Sequence, residues 1–279
     1  MFGEKFKEIH KEQNISLATA AENVTTVSTL SRWENGQTNI KFEQMIELLN
    51  NIHFSLLEFI SITIITPHTP FVNQINSALN FNSDLELRQL SLKWIKIYQA
   101  SHQTTDLLNA ATACSFYLNL TSKNIFPHHY LNDLIEVFSN VNYWSHYYII
   151  NFGNSLMLLP PKNIYGFALL IINNLSEIKK GGFEYFIDTM DTLLNAAQML
   201  IYFAPDYAIK LFNKLNNIQL TNYSMYIKVR RQFLNQLLHY KLTKDSTSLS
   251  KLLSALTTLG MNSMVQMFNE AYTRIKSEK

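Results

Sequence analysis

From residue 71 onward the chain is a succession of helix-length stretches in which apolar residues recur at helical spacing. They run 71–82, 84–100, 104–122, 127–139, 143–158, 161–178, 182–202, 205–215, 221–242, 245–258 and 261–277. Breakers separate them: Pro127, Pro160-Pro161, Gly181-Gly182, Pro205 and Gly260. With 7 Gly and 6 Pro in 279 residues, few positions suit the special backbone angles of tight β turns. Helices joined by short loops are therefore favoured over a many-stranded β fold. Two stretches occupy roughly 35–40 residues, near the period of helical-hairpin repeats. The expected class is all-α, with an α-solenoid of helical hairpins over 71–279. Self-similarity between the stretches is faint, so a compact irregular bundle is the alternative.

The first 66 residues have a different rhythm. Phe2, Phe6 and Ile9 place a helix over 3–13. Ser16 is a candidate N-cap for a short helix, Leu17 to Asn23. A third helix runs from about Thr26 to Glu34, stopped at Asn35-Gly36 by left-handed geometry. Phe42, Met45, Ile46, Leu48 and Leu49 mark a fourth, and Ser55 to Ile65 a fifth. Pro67 and Pro70 then break the pattern. The expected division is a DNA-binding domain over 1–66, a linker over 67–70 and a repeat domain over 71–279. The stretch Thr25 to Arg32 is small, hydroxyl-rich and free of acids, and one arginine closes it. Such a helix suits the DNA major groove.

Charge limits what that helix does alone. Residues 1–66 hold five Lys/Arg against eight Glu, a net −3. Tight non-specific DNA binding depends on neutralising phosphates, so one copy binds weakly and a dimer is expected. Charged residues are 16% of the chain and apolar ones 47%, which fits an extensive core. The single cysteine, Cys114, excludes an internal disulfide and suits a reducing compartment. Its expected role is a small buried apolar residue. The N-terminal MFGEKFKEIHKEQ has no apolar run of the signal-peptide kind. Phe54 to Ile65 is short for a membrane span and carries Glu58. The expectation is a soluble intracellular protein without a membrane partner.

The ordered string Leu30-Ser31-Arg32-Trp33-Glu34-Asn35-Gly36, followed by Ile40 and by Leu56-Leu57-Glu58-Phe59, resembles the XRE-type helix-turn-helix family. Joined to a helical-repeat domain, it is similar to the Rgg/GadR/MutR group of peptide-responsive regulators. The segment Trp144 to Leu159, WSHYYIINFGNSLMLL, resembles that group's characteristic segment. The resemblance implies a five-helix N-terminal domain and a TPR-like repeat array. It also implies a cytoplasmic homodimer bound to double-stranded promoter DNA and controlled by a short hydrophobic signalling peptide. In the family, the glutamate at the position of Glu34 pairs with an arginine of the first helix. Here the matching position is His10, so a weaker, pH-sensitive pair is expected.

On this pattern the candidate DNA contacts are Ser16, Leu17, Thr26, Val27, Ser28, Thr29 and Arg32. Arg32 suits a phosphate or a guanine edge, or a surface ion pair with a nearby glutamate. Val27 suits a thymine methyl. Ser28 and Thr29 suit bases or phosphates, and Thr26 a helix cap. Ser16 and Leu17 open the second helix, where free N–H groups can hold a phosphate. Trp33, Ala20, Ala21 and Leu30 are expected in the core.

In the repeat domain, Asn151, Asn154, Asn195 and Asn235 are amides on apolar helices. An amide offers a donor and an acceptor to a peptide backbone; the plainer role is to satisfy a neighbouring helix end. Tyr147, Tyr148 and Tyr202 suit a groove or the core. Arg230 and Arg231 suit a peptide carboxylate or a solvated surface. No glycine-rich phosphate loop, metalloprotease motif or nucleophile elbow occurs, and His128-His129 lacks further ligands at metal spacing. The expectation is a regulator, not an enzyme, with no metal or cofactor. A repeat scaffold that sequesters a protein partner is the alternative, favoured by the net −3 of residues 1–66.

Overall fold

The computed structural model describes residues 2–63 and 70–277, and every regular element among them is helical. Residues 64–66 and the expected linker at 67–69 lie outside the described residues, as does the end of the expected fifth helix. The chain divides into two compact units, Met1–Pro70 and Phe71–Lys279.

The first unit holds α1 (Phe2–Glu12), α2 (Leu17–Ala21), α3 (Val27–Glu34), α4 (Phe42–Asn51) and α5 (Leu56–Thr63). Each helix presents one apolar stripe, and the stripes meet in a core of Phe6, Leu30, Trp33, Leu48, Ile52 and Phe59. Ala20, Ala21 and Leu30 are buried, as their pattern predicts, and so is Trp33, as the family resemblance implies. α3 ends in a Schellman motif: Gly36 N–H donates to the Trp33 carbonyl and Gln37 N–H to the Arg32 carbonyl. Gly36 sits at φ +72°, which suits glycine. α2 is shorter than its expected span. The Asn51 amide donates to the Ala20 and Glu22 carbonyls at 3.0 and 2.9 Å, closing α2 from outside.

The second unit holds α6 (Pro70–Asn80), α7 (Asp84–Ser101), α8 (Thr104–Thr121), α9 (His128–Ser139), α10 (His146–Asn154) and α11 (Pro161–Asn173). It continues with α12 (Leu175–Lys180), α13 (Phe183–Phe203), α14 (Pro205–Leu215), α15 (Met225–Thr243), α16 (Thr247–Thr258) and α17 (Asn262–Ser277). A 3₁₀ turn, Asn222–Ser224, leads into α15. α8, α10, α13, α15 and α17 pack on one another in succession and form one layer. α9, α11 and α14 form a second layer behind them, with α7 against α8 and α16 against α15 and α17. This is the α-solenoid of hairpins rather than an irregular bundle.

Two stretches depart from their expected lengths. The helix expected over 161–178 is two helices, because Asn174 leaves helical geometry and its side chain donates to the Leu170 carbonyl. The helix expected over 143–158 is confined to α10, and its last turns are irregular. No single helix among the described residues is long and apolar enough to cross a membrane.

Candidate functional site

In the first unit α2, a turn and α3 make the helix-turn-helix. Both helices start on a hydroxyl cap: Ser16 Oγ accepts from Thr19 N–H and Thr26 Oγ1 from Thr29 N–H, each at 3.1 Å. Thr26 Oγ1 also donates to Thr29 Oγ1 at 2.9 Å. Thr26 therefore has a structural task of its own. Leu17 is half-buried against the core, which leaves only its backbone N–H for a phosphate.

Val27, Ser28 and Arg32 are exposed on α3. Arg32 Nε lies 3.4 Å from the Ser28 carbonyl, so the side chain follows its own helix. It forms no ion pair with a glutamate among the described residues. α3 thus presents an apolar methyl group, a hydroxyl and a cation, a combination that matches thymine methyls, base edges and phosphates.

Behind α3, His10 and Glu34 form the expected pair. His10 Nε2 lies 3.0 Å from Glu34 Oε1, and both side chains are 3% exposed. His10 Nδ1 lies 2.7 Å from the Ile15 carbonyl. A carbonyl only accepts, so Nδ1 carries a hydrogen. Burial pushes the Glu34 carboxyl above its ordinary value, and the neighbouring histidine pulls against that shift.

In the second unit a cleft of about 290 Å³ opens on the layer of α8, α10, α13 and α17. Asn119, Asn154, Asn195 and Gln198 supply amides; Phe116, Met157, Met199 and Tyr202 supply apolar surface; Arg274 supplies a cation. Asn154, Asn195 and Tyr202 were singled out by sequence. Asn119, Gln198 and Arg274 were not, because each sits on an unremarkable helix and only the stacking of hairpins brings it to the cleft.

The other candidates have structural partners. Asn151 donates to the Tyr147 carbonyl of its own helix at 2.9 Å. Tyr147 packs on Tyr148 with ring centres 5.4 Å apart, away from the cleft lining. Asn235 exchanges two hydrogen bonds with Asn216 at 3.0 and 3.1 Å. Arg231 donates to the Leu215 and Ile218 carbonyls at 2.7 and 2.9 Å, closing the end of α14, and desolvation lowers its pKa.

Arg230 is not the solvated cation its sequence suggests. It is buried, paired with Asp191, and donates to Asn195 Oδ1 at 2.6 Å and Gln198 Oε1 at 3.4 Å. Cys114 is buried as expected, and burial pushes its thiol up to about 12. Among the described residues no group of His, Cys, Asp or Glu is placed to hold a metal ion.

A helix-turn-helix with an exposed reading helix, on one chain with a hairpin solenoid, defines a DNA-binding transcription regulator of the two-unit kind. The model of the HTH-type transcriptional regulator Rgg, C-terminal domain, matches residues 92–270, and a helix-turn-helix model matches 6–59. The chain belongs to the Rgg family of HTH-type transcriptional regulators.

Among solved structures, the Streptococcus dysgalactiae SHP pheromone receptor Rgg2 is 16% identical with a TM-score of 0.74, over 98% of this chain and 99% of its own. A bacterial peptide pheromone/receptor complex is 15% identical at 0.71, over 100% and 99%. The PrgX/cCF10 complex is 15% identical at 0.71, over 100% and 93%. At these identities the likeness is one of fold. Comparison with curated proteins gives no match.

Proposed function

We propose that this regulator reads operator DNA as a homodimer through α3 and is controlled by a short hydrophobic peptide held in the cleft of the solenoid. The carrying observation is the cleft itself. Its lining joins methionine and aromatic surface to the amides of Asn119 and Asn154, which make no hydrogen bond within the chain among the described residues. Amides of this kind suit the alternating donors and acceptors of a peptide backbone. The Streptococcus dysgalactiae relative is a pheromone receptor, which supports the same reading.

Val27, Ser28 and Arg32 make the direct DNA contacts, with Thr29 beside them. Thr26 and Ser16 act by capping, and Leu17 through its backbone. Asn154 and Asn195 contact the peptide, while Arg230 supports the cleft from behind. Asn151, Asn235, Arg231 and Tyr147 hold the solenoid. The protein works in the cytoplasm, where DNA is accessible and a lone thiol stays reduced.

Peptide shifts the regulator between two dimer arrangements, by no more than its differential affinity for them. The test is fluorescence anisotropy with labelled short hydrophobic peptides encoded beside the gene. Saturable binding at micromolar concentration is expected, weakened by Asn154→Ala. Absence of binding by every such peptide removes the peptide half of the proposal.

A further inference from the structure

We propose that the cleft is a carboxylate-reading site, in which Arg274 and the Asn195 amide N–H₂ take a carboxylate of the bound peptide. The inference rests on the peptide reading above and adds what the cleft selects. Two independent features of its wall support it.

First, Arg274 reaches the cleft from α17 without an ion-pair partner among the described residues. Its guanidinium lies over Tyr202, 4.5 Å from the ring centre, and near Phe203 at 5.8 Å. A ring face accepts the cation without using up its N–H donors, which stay available to a planar two-oxygen partner. No lining residue is acidic, so a carboxylate entering the cleft meets no like charge.

Second, the orientation of Asn195 is fixed by chemistry. Arg230 has only donors, so the Asn195 atom 2.6 Å from its Nη2 must be the oxygen. The amide nitrogen of Asn195 is thereby directed away from Arg230. Asp191 neutralises Arg230, so Arg230 orients the amide without adding net charge. Arg230 is a positioning residue, and Arg274 with Asn195 would make the contact.

The carboxylate has two possible sources, the peptide C-terminus and an acidic side chain, and the experiment separates them. The full-length chain is immobilised and offered three libraries of octapeptides made from Leu, Ile, Val, Phe, Ala and Gly. One ends in a free carboxylate, one in a carboxamide, and one in a carboxamide with a single internal Glu. Retained peptides are quantified by mass spectrometry.

A charge-assisted contact of this type is worth roughly ten- to a hundredfold in affinity. Retention of a carboxylate library over the plain carboxamide library by about tenfold or more is expected. The first or third library, whichever wins, identifies the source. Arg274→Gln should abolish the preference and Arg274→Lys should keep part of it. Asn195→Asp, which keeps an oxygen for Arg230 but turns a donor into a charged acceptor, should also abolish it.

Equal retention of all three libraries overturns this inference and leaves the peptide reading standing. Retention of none overturns both. A preference that survives both Arg274→Gln and Asn195→Asp assigns the carboxylate elsewhere and overturns the site.

Discussion

His10 shows how one substitution against a family pattern changes chemistry without changing architecture. An arginine there would stay charged at every accessible pH. The histidine instead hydrogen-bonds Glu34 in a site with little water. Because burial raises the Glu34 pKa, the folded chain keeps a proton that the unfolded carboxyl, with its ordinary value of 4.5, gives up. Stability from this source is full below that value and is lost as pH rises through the raised one. The thermal midpoint of the protein should therefore fall as pH rises above about 4.5, the ordinary carboxyl value, and His10→Arg should flatten the slope. Parallel slopes for the two proteins would show that the pair does not govern the pH response. The pair was readable only through the family resemblance, because Glu34 lies in the 30–36 motif while His10 sits 24 residues earlier on the first helix. Arg230 was not: its partner Asp191 lies 39 residues away, and nothing local to Arg230-Arg231 marks one guanidinium as buried and the other as a helix-end clamp.

At the scale of elements, periodicity located nearly every helix, since an amphipathic stripe is a local property. What it missed were ends set by tertiary contacts, as where Asn51 closes α2 or Asn174 divides α11 from α12. Caps carry measurable energy. Thr26→Ala should destabilise the first unit by about 1 kcal/mol, read from denaturant midpoints, and weaken DNA binding only through α3. Gly3→Ala tests the approach of α1 to α3. Alanine favours a helix over glycine by about 1 kcal/mol. A Cβ at Gly3, however, falls 2.2 Å from the Trp33 carbonyl oxygen, a backbone atom with little room to move. The clash should win, with a net loss of about 1–3 kcal/mol; an unchanged or raised midpoint would contradict that packing. Arg231→Ala should cost a similar amount, about 1–3 kcal/mol, by leaving the Ile218 carbonyl without its side-chain donor and the Leu215 carbonyl with only the Ile218 N–H.

For the whole molecule, sequence reached the fold class and the family, because a motif and a rhythm were enough. It did not reach the cleft. Asn119, Asn154, Asn195 and Arg274 span four helices, and their meeting follows from how hairpins stack. The same scale explains how an acidic helix-turn-helix unit can read DNA. A net −3 over 1–66 gives little phosphate attraction, and the proposed homodimer would supply the missing affinity by pairing reading helices at two half-sites. Dimerisation and DNA binding should therefore fail together on dilution in sedimentation and shift experiments. The most direct measurement is an electrophoretic shift on the DNA upstream of the chain's own gene, with the intact protein and with Arg32→Ala. A discrete complex at low salt, lost on Arg32→Ala while the thermal midpoint stays unchanged, is the predicted result. No complex at any salt concentration, or one indifferent to Arg32, would contradict operator reading through α3 and favour a solenoid that works by sequestering a protein partner.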